Sequence, residues 1–197
     1  MKSEGIDVMK QSMVDLFESQ IIATITSQEQ IPLAIESHSN VTFLLTGDLL
    51  TGPSYIKQLK DAEMIVFLHL DLIEGLANDR SAIQYVARNW KPDGIITTKT
   101  NLIKFAKEEG LLTVQRLFLI DQHAIQKGIE IANKCKPDAI EVLPGIMPRV
   151  TYEITEKTRL PVIVGGLIKY EQEIHDALRA GALAASLSDQ KLWNLGV

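Results

Sequence analysis

Residues 161–189 read PVIVGGLIKYEQEIHDALRAGALAASLSD, and this stretch decides the fold. An apolar, β-branched run at 161–164 strikes Gly165-Gly166. An amphipathic segment follows, with Ile174, Ala177 and Leu178 on one face and Gly181 closing it, which is the pattern of a helix and its stop. A second apolar run, 182–187, gives way to Ser186, Ser188 and Asp189. The unit is strand–helix–strand, so its strands run parallel. Both strand ends carry only small residues and hydroxyls. Glycine lets backbone N–H groups approach an anion closely, and a helix N-terminus adds free donors and a favourable dipole. In a (β/α)₈ barrel the loops after strands seven and eight frequently form a phosphate site. Gly165, Gly166, Ser186 and Ser188 are therefore the candidate phosphate-binding residues.

Upstream the same alternation repeats. Strand patterns fall at 21–25, 41–45, 64–70, 94–98, 112–117 and 139–143. Helical patterns separate them: Pro53 and Pro148 stand in first turns, where a missing N–H does no harm, and Asp79 and Asp121 are placed as N-caps. Ile83, Val86, Ala87 and Trp90 recur at helical spacing, as do Ile125, Gly128, Ile129 and Ala132. Eight strands alternating with helices predict an α/β protein with a parallel sheet. An open doubly wound sheet competes, but the count of eight and the phosphate-type ending favour a closed TIM barrel. At 197 residues the chain is short for that fold, so the loops must be tight and the last helix a stub at 190–195. The predicted organisation is a helical extension over residues 1–19, with its helix at 8–19, and one barrel domain over 20–197.

Composition narrows the function classes. A formal net charge of −5 argues against a generally nucleic-acid-attracting surface. The single Cys135 excludes an internal disulfide and fits a reducing cytoplasm. The polar N-terminus is no signal peptide, and no apolar run reaches membrane-spanning length.

In a closed parallel barrel, function collects at the carboxyl ends of the strands. Those ends supply His69, Asp71 and Glu74 from strand three, Thr97, Thr98 and Lys99 from strand four, Gln115 and Arg116 from strand five, and Glu141 from strand six. His69 and Asp71 share a strand face by parity, as do Ser186 and Ser188. A carboxylate buried on a barrel strand is costly alone, so Glu141 implies a partner, and Arg116 is the natural one. An oxygen-rich metal site from His69, Asp71, Glu74 and Glu141 lacks tight ligand spacing, so no metal is expected. Cys135 falls on a helix, away from the strand ends.

The runs FLHLDLIEGL (67–76), DGIITTK (93–99), LLTVQRLFLID (111–121), KPDAIEVLPGIMPRV (136–150), VGGLI (164–168) and ASLSDQKLW (185–193) together resemble the glycerol uptake operon antiterminator regulatory proteins of Gram-positive bacteria. The resemblance extends from about Gln20 to the C-terminus. It implies a phosphate-binding barrel that senses glycerol 3-phosphate as effector, without a cofactor. It also implies action on the leader mRNA of glycerol-utilisation genes, where premature termination is prevented. Gly165, Gly166, Ser186 and Ser188 would then hold the phosphate, with His69, Asp71, Gln115, Arg116 and Glu141 binding the glycerol hydroxyls or ordering the pocket. Lys99, Lys104 and Lys107 flank one helix, and Arg80, Arg88 and Lys91 lie on its neighbour, making one candidate RNA stripe. Lys127, Lys134, Lys136, Arg149, Lys157 and Arg159 make a second. Few aromatics are available for stacking, so RNA recognition would lean on backbone and shape.

Two other readings use the same residues. A phospho-sugar aldolase, isomerase or phosphodiesterase would employ His69, Asp71, Glu74 and Glu141 as acid–base groups. A ligand-gated protein-binding module would change a protein interface instead of RNA affinity. Oligomeric state is not legible in the residues.

Overall fold

The computed structural model describes residues 13–196. Eight parallel strands close on themselves in sequence order. They are β1 (Ile21–Ile25), β2 (Val41–Leu44), β3 (Ile65–His69), β4 (Gly94–Thr97), β5 (Leu112–Phe118), β6 (Ala139–Leu143), β7 (Val162–Gly165) and β8 (Ala184–Leu187). Closure is made by β8 pairing with β1, Ser186 opposite Ile22. This is the TIM barrel the alternation predicts, and it excludes the open sheet.

Among the described residues seven α-helices surround it: α1 (Gln30–Ile35), α2 (Gly52–Asp61), α3 (Arg80–Tyr85), α4 (Thr100–Glu108), α5 (Gln122–Cys135), α6 (Pro148–Lys157) and α7 (Glu171–Arg179). After β8 the described residues form a 3₁₀ turn, Gln190–Leu192, and no further helix. The expected caps are present, with Asp79 accepting from Ala82 N–H at 2.9 Å and Asp121 from Ala124 N–H at 2.7 Å. Beyond α3 the helix widens into a π turn, Val86–Trp90, which lays Trp90 against Gly52 of α2.

Strand parity divides the core in two. One face of each strand packs outward on the helices, in a cluster containing Leu44, Leu68, Ile95, Leu117 and Val164. The other fills the barrel with Ile22, Phe43, Phe67, Ile96, Val114, Ile163 and Ala184. Met13, Leu16 and Phe17 join that inner cluster, so the entering chain seals the barrel end opposite the loops that follow the strands.

The helix expected at 8–19 differs where it can be compared. Residues 8–12 lie outside the described residues, and 13–20 contain one 3₁₀ turn, Val14–Leu16. Asn40 accounts for the stop. Its side-chain amide donates to Leu16 O at 2.8 Å and accepts from Glu18 N–H at 3.2 Å, taking peptide groups that a longer helix would pair internally.

Candidate anion site at the barrel mouth

Above the apolar filling, the inward positions turn polar: Thr24, His69, Arg116, Glu141, Gly165 and Ser186. Arg116 and Glu141 are opposite each other in the β5–β6 register. Arg116 Nε donates to Glu141 Oε2 at 2.5 Å, and Ser186 Oγ donates to Oε1 at 2.5 Å. Both carboxylate oxygens are therefore met, and the side chain is wholly buried. The other guanidinium nitrogens have no hydrogen bond among the described residues, so the donor-rich edge of a cation remains for a ligand.

β7 ends at Gly165, opposite Ser186 in register. No side chain fits there, because a Cβ would overlap Ser186 Oγ and lie 2.8 Å from Glu141 Oε1. Gly166 and Leu167 follow with φ of +73° and +63°, which turns the chain back over the barrel. Gly166 O accepts from Gly145 N–H at 3.1 Å, fastening this turn to the loop after β6. The N–H groups of Gly166, Leu167 and Ser188 have no partner among the described residues. Consecutive free amides of this kind form an anion-binding concavity. The first turn of α7 contributes less than its position suggests, since Glu173 already accepts from the N–H groups of Lys169 (2.8 Å) and Tyr170 (3.0 Å).

The structure thus separates the four glycine and serine residues into two levels. Gly166 and Ser188 stand at the rim. Ser186 lies beneath, its hydroxyl given to Glu141. Gln30 Nε2 donates to Ser188 O at 3.3 Å and ties the β1–α1 loop to the same rim.

His69 is buried, and its Nδ1 has no partner among the described residues. Burial, and then the Arg116 charge, push its pKa from 6.5 to about 4 against the opposing pull of Asp71, so the ring is neutral at physiological pH. Asp71 departs from the parity expectation because the strand ends at His69 and a 3₁₀ turn, Leu70–Leu72, follows. Its carboxylate turns to the end of β4, accepting from Thr97 Oγ1 (2.5 Å), Thr98 N–H (2.9 Å) and Thr98 Oγ1 (2.7 Å). Burial would raise its pKa, and these hydrogen bonds outweigh that and hold it below the usual value.

His69 therefore makes stability depend on pH. Between pH 6.5 and about 4 the unfolded chain binds a proton at His69 that the folded chain does not, so stability falls as the pH drops through that window. A series of urea unfolding midpoints should show this slope and show it flattened in His69→Gln. Equal slopes in the two proteins would exclude the assignment.

Other expected residues are placed elsewhere. Gln115 lies on the opposite face of β5 from Arg116, sharing parity with Leu117, which packs on Gly128 of α5. Its side-chain amide donates to Thr97 O and Arg116 O, both at 3.2 Å. Glu74 is exposed and pairs through its backbone with the β2–α2 loop. Among the described residues no three His, Cys, Asp or Glu side chains gather as a metal requires. Thr24 is a site residue that the sequence pattern does not single out. It ends the inward face of β1, is buried, and leaves Oγ1 unpartnered. The parity count that selects Ser186 is the signal that finds it.

The first candidate RNA stripe is interleaved with acids. Arg80 pairs with Glu108 at 2.5 Å and Arg88 with Glu109 at 3.2 Å, while Lys91, Lys99 and Lys104 are exposed and make no ion pair among the described residues. In the second set Lys157 and Arg149 both meet Glu153, at 2.7 and 3.8 Å.

A sequence model described as glycerol-3-phosphate responsive antiterminator matches residues 21–193, nearly all of the barrel. The chain belongs to that family. A protein of Escherichia coli (strain K12) described as uncharacterized protein YgcP is 37% identical over 183 residues, covering 91% of this chain and 94% of its own length. The glycerol uptake operon antiterminator regulatory protein of Listeria monocytogenes has a similar crystal structure, with a TM-score of 0.85 and 34% identity over 95% of this chain and 97% of that one. A glycerol uptake operon antiterminator-related protein of Thermotoga maritima gives a TM-score of 0.78 and 35% identity, with coverages of 88% and 96%. Among the described residues of this family member no helix is long and apolar enough to cross a membrane.

Proposed function

We propose that this antiterminator-family chain binds glycerol 3-phosphate at the barrel mouth and, once occupied, acts on the leader mRNA of glycerol-utilisation genes to prevent premature termination. The observation that carries the reading is the set of unpaired amides at Gly166, Leu167 and Ser188, next to the polar floor formed by Arg116, Glu141 and Ser186. The amides suit a phosphate. His69 Nδ1 and Thr24 Oγ1, polar atoms that burial leaves without a partner among the described residues, suit the hydroxyls, as do the guanidinium nitrogens that Glu141 does not engage. Glycerol 3-phosphate is then an effector, and no further cofactor is called for.

The carboxylates of the mouth are already engaged, which does not favour them as general bases. Glu141 has both oxygens engaged, and Asp71 accepts three hydrogen bonds at the end of β4.

Calorimetric titration with glycerol 3-phosphate tests the site. Gly166→Leu forces a side chain onto a residue at φ +73°, where a Cβ would stand 3.1 Å from Leu143 Cδ2, and should weaken binding at least about tenfold. Unchanged affinity would defeat the site. A gel-shift of a leader transcript should tighten when glycerol 3-phosphate is added. Consumption of glycerol 3-phosphate or of a glycerophosphodiester in a turnover assay would instead establish the enzyme.

A further inference from the structure

A cleft of about 670 Å³ opens far from the barrel axis, between α4 and α5. Its floor is apolar, Ile131 and Cys135, and its walls carry Lys104, Lys107 and Lys134. Three lysines around one cleft are out of keeping with a chain of net charge −5. Most of their charge is not cancelled locally. Glu108, the acid of the cleft, is held by Arg80 at 2.5 Å, and that guanidinium sits 4.6 Å over the Phe105 ring. Lys107 donates to Lys136 O and lies 3.7 Å from Asp138, which fixes its position and meets only part of its charge. Lys104 and Lys134 are exposed and make no ion pair among the described residues.

We propose that the α4–α5 cleft is where the RNA strand docks, with Lys104, Lys107 and Lys134 contacting successive backbone phosphates. The proposal rests on the antitermination reading above. Lys104 and Lys107 are one turn apart on α4, about 5–6 Å between Cβ atoms, so both face the same path. An acidic peptide would satisfy the lysines equally, and what favours RNA is the antitermination reading; the cleft is also connected to the mouth. The upper end of the cleft is Thr100 at the start of α4. Lys99 N–H, one residue before it, donates to Thr97 Oγ1 at 3.0 Å, and Thr97 and Thr98 hold Asp71, two residues from His69. A ligand that engages His69 therefore acts on the strand end from which the phosphate-contacting helix departs, and this gives occupancy a route to a differential RNA affinity.

Filter binding of the untranslated leader RNA of a glycerol-uptake operon, across a salt series and with saturating glycerol 3-phosphate, tests the cleft. Lys104→Glu/Lys134→Glu should bind at least about tenfold more weakly, with a salt slope lower by about 2. Its glycerol 3-phosphate affinity should be unchanged, which shows that the variant is folded. Lys157→Glu/Arg159→Glu, on and after α6, should bind as the wild type does. Cys135 is the chain's one cysteine and lines the cleft, so bound RNA should slow its modification by a maleimide. Wild-type RNA affinity in the Lys104/Lys134 variant, or a Cys135 rate indifferent to RNA, would overturn the cleft while leaving antitermination standing. A wild-type protein that binds no leader RNA would bring down both, and that result appears before any variant is made.

Discussion

Arg116→Met should destabilise the protein by about 3–5 kcal/mol, the usual cost of leaving one member of a buried ion pair alone. Arg116 is 9% exposed and Glu141 0%, so the carboxylate would be left with little access to water. Ser186 Oγ would remain as the only donor to the carboxylate, and one hydroxyl does not offset the burial of a charge. At about 2–4 °C per kcal/mol for a domain of this size, the melting temperature should fall by roughly ten degrees. The double variant Arg116→Met/Glu141→Leu separates pairing from packing. It removes both charges and should recover most of the loss, because apolar replacements of a buried pair are frequently neutral. Both variants should lose glycerol 3-phosphate binding, since the guanidinium edge is gone in each. Urea unfolding and calorimetry read the two effects independently. A single variant within about 1 kcal/mol of wild type would show that the pair is not what holds this layer.

Gly165→Ala should be the more damaging of the two glycine changes at the mouth. Its Cβ would occupy the space of Ser186 Oγ and crowd Glu141 Oε1 at 2.8 Å, so a methyl group there must break the Ser186–Glu141 hydrogen bond or bend β7. Overpacking of this kind costs about 1–3 kcal/mol, and displacing a buried polar partner adds about as much again. Gly166→Ala meets only Leu143 Cδ2 at 3.1 Å and a positive φ, and should cost about 1–2 kcal/mol. The order of the two in urea midpoints is the test. If Gly166→Ala were the worse, close packing of Gly165 on the polar floor would not be the governing constraint at this strand end.

Much of this architecture is visible in the chain. Short, nearly continuous apolar runs locate the strands, and two of them, β1 and β6, have the expected ends at both termini. Caps are equally legible, since an aspartate four residues before a helical stripe has one economical use, and Asp79 and Asp121 serve it. The Arg116–Glu141 pairing follows from the cost of a lone buried carboxylate on adjacent strands, and the register places the two side by side. Elsewhere local pattern misleads. Parity aims Asp71 with His69 only while the strand continues, and the 3₁₀ turn at Leu70–Leu72 sends it to Thr97 and Thr98 instead.

Gln115 and Arg116 are neighbours in sequence, and only the sense of the strand's faces decides that Arg116 faces the mouth and Gln115 the helix layer. The α4–α5 cleft is only partly legible in the chain: Lys104 and Lys107 fall in one candidate stripe and Lys134 in the other, and their meeting in one cleft is hidden because they are spread over some thirty residues and two helices. By itself the sequence determined the alternation of strands and helices, the caps, the small residues at the last two strand ends and the family. Those depend on local conformational preference and on a repeated apolar period, which neighbouring residues encode. The tertiary structure decided which polar groups are left unpaired and which charges are neutralised. Both are properties of distances between strands and helices that only closure of the barrel sets.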